Sequence, residues 1–109
     1  MALTYVCSPL SAPSRAEIMV NAQRARTYMA MSEREFGCRA VAPHAYLPYL
    51  LDDSNPEERA LALSFGASLL ALCDRLVIYG DRISSGMKEE IQRAQELGIP
   101  ILNRQIHLS

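Results

Sequence analysis

Two adjacent glutamates, Glu89 and Glu90, lie in the stretch SSGMKEEIQRAQELGIP, residues 84–100. Its pattern predicts a helix capped by Ser85, opened by Gly86 and Met87, and closed by Gly98 and Pro100. Residues about 100° apart around the axis put Met87, Ile91, Ala94 and Leu97 on one apolar stripe. Glu89 falls on the polar side with Lys88, Gln92 and Arg93. Glu90 points between Ala94 and Leu97, inside or at the edge of the stripe. A carboxylate facing a core costs several kcal/mol unless it is paired, hydrogen-bonded or open to a cleft. Near the positive end of a helix its ionised form is favoured, which suits a nucleophile or a ligand-holding group. The competing reading is a border glutamate that bends its long stem out to water.

The elements that must position Glu90 follow from the rest of the chain. LTYVC, residues 3–7, is rich in β-formers and reads as a strand. After the loop SPLSAPS, Ser14 and Glu17 form a capping box for a long helix whose core stripe is Ile18, Ala22, Ala25, Met29 and Phe36, ended by Gly37. CRAVA, residues 38–42, is a second strand stopped by Pro43. A long loop rich in Tyr, Pro and Asp runs from His44 to Asn55, and loops of that length are often functional. Asn55, Pro56 and Glu58 start a helix reaching about Leu72. The strand RLVIY, the helix carrying Glu90 and the strand IPILN complete the order β-α-β-α-β-α-β. That alternation predicts an α/β domain over residues 1–109: a three-layer, flavodoxin/Rossmann-like doubly wound sandwich around a four- or five-stranded parallel sheet.

Ligands in such folds bind at the carboxyl ends of the strands. Those ends carry Ser8 and Ser11, then Pro43 and His44, then Gly80 and Asp81, then Asn103 and Arg104. His44 could contact a ligand or protonate a leaving group, although a lone histidine at a strand end is commonly structural or exposed. Asp81 could be a general acid, or part of a plain turn. Asp52 and Asp53 could bind a ligand's hydroxyls, or form an acidic turn before a helix. Tyr46 and Tyr49 could stack on a ligand's ring or pack against another subunit.

Composition narrows the classes. Half of the 109 residues are hydrophobic and the formal net charge is −1, so there is material for a core and no electrostatic surface for a nucleic-acid polymer. Apolar runs such as ASLLALC are too short to span a bilayer, and MALTYVCSPL reads as a strand rather than a signal peptide. Cys7, Cys38 and Cys73 are widely spaced, which argues against a disulfide framework or a zinc site and for a reducing, cytoplasmic setting. Buried free thiols are the default, with Cys7 near the proposed site. No metal or cofactor is expected.

Three segments together resemble the nucleoside 2-deoxyribosyltransferase-like proteins, which include the 2'-deoxynucleoside 5'-phosphate N-hydrolases. LTYVCSPLS is similar to their first strand and loop, and VAPHAYLPYLLDD to their second strand and its loop. CDRLVIYGDRISSGMKEEIQRAQELGIPI is similar to their strand-helix-strand block with the pattern S-x-G-x-x-x-E, here Ser84, Gly86 and Glu90. The likeness is greatest to a small, largely uncharacterised bacterial and phage branch. It implies that Glu90 attacks the anomeric carbon of an N-glycoside, that Tyr5 orients it, and that Ser84 lies near a substrate phosphate. Together with the residues at the strand ends, the expected catalytic set is Glu90, Tyr5 and Asp81, and the expected substrate-binding set is Ser8, Ser11, His44, Ser84 and Gly86. The first loop, SPLSAPSR, lacks the glycines that nucleotide hydrolases use for phosphate. The expected partners are a nucleoside or nucleotide and a second copy of the chain in a homodimer. The alternative is a non-catalytic nucleotide-binding or sensor module of the same fold.

Overall fold

A computed structural model of the chain describes residues 2–52 and 54–105. Four strands and three helices alternate: β1 (Leu3–Cys7), α1 (Arg15–Phe36), β2 (Arg39–Val41), α2 (Pro56–Leu70), β3 (Arg75–Ile78), α3 (Ser85–Leu97) and β4 (Ile101–Asn103). The sheet is wholly parallel in the order β2-β1-β3-β4, so β1 is interior and the expected doubly wound fold is present with four strands. Because the chain steps from β1 to β2 in one direction and from β2 through β4 in the other, right-handed crossovers put α1 on one face and α2 and α3 on the opposite face.

The period of two along each strand divides the core accordingly. Tyr5, Cys7, Leu76 and Ile78 pack with Leu70, Met87 and Ala94 on the side of α2 and α3. Val6, Val77 and Tyr79 pack with Ala25 and Ala42 on the side of α1. Ser14 caps α1 by accepting the Glu17 N–H, and Gly37 closes it in the left-handed region. Asn55 caps α2 by accepting from Glu57 and Glu58 N–H groups.

Several boundaries differ from the sequence expectation. The cap of α3 is Ser84, not Ser85: its hydroxyl accepts the Met87 N–H at 3.2 Å, while the Met87 sulfur accepts the Ser84 N–H at 3.4 Å. Either serine satisfies the propensity, and the sulfur contact selects the first. The segment after β2 is not a plain loop but two short 3-10 turns, Pro43–Ala45 and Leu47–Tyr49, each with a proline in its first turn. Helix α2 stops at Leu70, and β4 pairs only from Ile101. Leu97, expected on the buried stripe, is 43% exposed because it lies in the last turn of α3.

Candidate active site

A cavity of about 450 Å³ opens at the carboxyl edge of the sheet between α1, α2, α3 and the two 3-10 turns. Strand β1 delivers Tyr5 to its floor because residue 5 faces the α2–α3 side; the ring is 3% exposed. Helix α3 delivers Glu90 from its second turn. The Tyr5 hydroxyl lies beside the Glu90 carboxyl, while Oε2 of Glu90 is buried without a partner. Burial raises the Glu90 carboxyl to about 7, against the lowering effect of the neighbouring Tyr5 hydroxyl, and Glu89 adds a further upward push. Tyr5 is raised far above the usual phenol range, by burial first and then by the Glu90 charge, so it stays a neutral donor. Burial and the same carboxylate also push the neighbouring Cys7 thiol up.

Beside this pair, the Ser8 Oγ and the His44 Nε2 lie 2.7 Å apart. Ser8 is buried at the end of β1, and His44 sits in the first 3-10 turn. Burial lowers His44 to about 4. At neutral pH its ring is therefore uncharged, able to exchange a hydrogen bond with Ser8 but not to supply an imidazolium proton.

The first loop is held against β3 by Gly80, which has φ +102°; a Cβ there would stand 2.6 Å from the Cδ of Pro9. The 3-10 segment is tied to α1 by Arg15 Nη2, which donates to the Pro48 carbonyl at 2.6 Å, and by Arg26 Nη1, which donates to the Ala45 carbonyl at 2.9 Å.

Of the residues singled out from sequence, Glu90, Tyr5, Ser8, Ser11, His44, Ser84 and Gly86 all line the cavity. Asp81 does not: its side chain is 77% exposed and lies 3.8 Å from Arg82, because the turn after Gly80 points it into solvent. Asp52 accepts from the Ser54 N–H and hydroxyl, which hold its carboxyl below its ordinary value; this is the acidic-turn arrangement. Asp53 lies outside the described residues. Tyr46 and Tyr49 are exposed and stack on the Arg26 guanidinium outside the cavity. Cys7 and Cys73 are buried free thiols, whereas Cys38 is half-buried and accepts from Arg75 at 3.1 Å.

Sequence reasoning missed the contribution of α2. Glu58, Arg59, Ala62, Gly66 and Leu70 all line the cavity, and their three- and four-residue spacing is the available signal. Arg93 of α3 was also missed because it was placed on the polar face. No group of three or more histidine, cysteine or acidic side chains among the described residues is arranged to hold a metal ion. Among the same residues, no helix is long and apolar enough to cross a membrane.

Residues 2–104 match the family described as Domain of unknown function (DUF7768). The chain belongs to that family. None of the curated proteins compared by sequence matches it. Among solved structures it is similar to the 2-deoxyribosyltransferase of the psychrotolerant bacterium Bacillus psychrosaccharolyticus, with TM-score 0.69 and 17% identity. That likeness covers 99% of this chain and 77% of the transferase. At this identity it establishes a shared α/β fold.

Proposed function

We propose that this domain cleaves or transfers the N-glycosidic bond of a nucleoside or nucleotide through a covalent ester between Glu90 and the sugar. The observation that carries the reading is Glu90 itself: a carboxylate on the cavity floor, beside Tyr5, with one buried oxygen unpartnered. A buried polar atom without a partner is costly, and a substrate atom is a fitting partner. The fold shared with a protein named as a 2-deoxyribosyltransferase supports the substrate class.

In the first step an ionised Glu90 oxygen donates an electron pair to the anomeric carbon. The bond from that carbon to the base nitrogen breaks, and its electrons leave with the base, which takes a proton from solvent. In the second step water or another base attacks the same carbon and gives up a proton to solvent, and the ester C–O bond breaks, returning the electrons to Glu90. Two displacements retain the configuration. Tyr5 keeps the carboxylate aligned as charge leaves it. Ser8, Ser11 and Ser84 supply hydroxyls for the sugar or a phosphate.

A nucleotide-binding module of the same fold is the second reading. What favours it is that burial raises the Glu90 carboxyl to about 7, toward its neutral form, and lowers His44 to about 4. The two readings separate on incubation with ribo- and 2'-deoxynucleosides and their 5'-phosphates, with free base followed by chromatography and Glu90-bearing peptides followed by mass spectrometry. Free base together with a sugar adduct on Glu90 supports the enzyme. Saturable binding of a nucleotide without base release supports the module.

A further inference from the structure

We infer that Gly66 of α2 sets the size of the base that the cavity accepts, by leaving space for its ring along the α2 wall; this rests on reading the cavity as a nucleoside site. A glycine inside a helix costs stability relative to alanine, so its presence in the body of α2 needs a cause. The backbone does not provide one, because the positive-φ glycines are Gly37, Gly80 and Gly98. Helix packing does not provide one either. A Cβ at position 66 would meet the Tyr5 hydroxyl at 3.5 Å and the Pro43 Cγ at 3.9 Å, ordinary van der Waals distances. A methyl group fits, and anything larger projects beside the hydroxyl that adjoins Glu90.

The character of the walls selects which part of a nucleoside lies there. On the α2 side Gly66 is flanked by Ala62, Leu63, Ala67 and Leu70, with the charged Glu58 and Arg59 nearer the start of the helix, and the 3-10 segment contributes Pro43 and Leu47. Around Gly66 the wall therefore offers apolar contact, which suits the faces of an aromatic ring. The hydroxyls suited to a sugar, Ser8, Ser11 and Ser84, belong to the β1 loop and the start of α3. The base therefore lies toward α2, where width discriminates two fused rings from one.

The test uses Gly66→Ala and Gly66→Leu in the full chain. Activity is read as kcat/KM for 2'-deoxyadenosine and 2'-deoxyuridine, and binding as Kd for free adenine and uracil. Gly66→Ala should melt a few degrees higher than the parent. The purine-to-pyrimidine ratio should fall in Gly66→Ala and drop at least about tenfold in Gly66→Leu, because overpacking a filled slot typically costs more than the equivalent of one decade. An unchanged ratio in folded variants overturns the inference, and Gly66→Ala decides alone if the leucine variant does not fold. Should the parent release no base from any ribo- or 2'-deoxynucleoside or its 5'-phosphate, the catalytic reading fails, and the adenine-to-uracil Kd ratio still decides the role of Gly66. Failure of the parent to bind either base overturns the inference as well.

Discussion

Ser8 and His44, brought together from the end of β1 and the turn after β2, share a hydrogen-bond contact of 2.7 Å at the cavity wall. That contact holds a histidine whose pKa is lowered to about 4, close to a glutamate raised to about 7. The two shifts act on stability in opposite directions. Between about pH 4 and 6.5 the unfolded chain binds a proton at His44 that the folded chain does not, so stability rises with pH. Between about pH 4.5 and 7 the folded chain keeps a proton on Glu90 that the unfolded chain releases, so stability falls with pH. The two contributions oppose each other across pH 4.5–6.5. Glu90→Gln should expose a rise of up to about 1.4 kcal/mol per pH unit there, and His44→Gln a comparable fall. Denaturant midpoints across this range check both signs, and equal slopes in both variants would sink the prediction.

The two glutamates should differ in their effect on chemistry, although both line the cavity. Glu90→Ala and Glu90→Gln should abolish base release, since neither side chain can form the ester. Stability at pH 8 should be unchanged to about 2 kcal/mol higher, because the penalty of a buried carboxylate is removed while its contact with Tyr5 is lost. Glu89→Ala should change stability by no more than about 0.5 kcal/mol, since Glu89 is exposed. Parent activity should rise with pH through about 7 as Glu90 ionises. Base release by Glu90→Ala at the parent rate would remove the mechanism.

Gly80→Ala should be among the most damaging small substitutions. The new methyl would meet Pro9 at 2.6 Å on a backbone with φ +102°. Steric and conformational strain together should cost about 2 kcal/mol or more. Because relief requires moving Pro9, ligand affinity should fall with stability. Thermal melts and titration with a nucleoside check the pair of effects; a variant with parent stability would show that the loop yields freely.

Exposed apolar side chains on α2 offer a surface for the expected homodimer. Leu61 and Phe65, one turn apart on α2, are 59% and 53% exposed, a combination that a single domain of this size leaves uncovered. Light scattering of the parent at micromolar concentration should give twice the monomer mass, and Leu61→Glu with Phe65→Glu should give a monomer. A monomeric parent contradicts the expectation.

What the amino-acid sequence determined by itself was periodic and local. Strand–helix alternation implied the parallel sheet, spacing around α3 marked Glu90 as misplaced on an apolar stripe, and Asn55–Pro56 and Gly37 marked helix ends, because each signal lies within a few residues of its consequence. Tertiary structure decided the rest. Ser8 meets His44 and Tyr5 meets Glu90 only because β1 lies between β2 and β3, a long-range pairing that no local pattern encodes. Asp81 looked as suitable as Ser84 in sequence, yet the turn after Gly80 sends one carboxylate into solvent while the next helix start brings the serine to the cavity. Gly66 carried no chemical signal at all. What a side chain there would touch, the Tyr5 hydroxyl and Pro43, is set only once α2 is packed across the sheet.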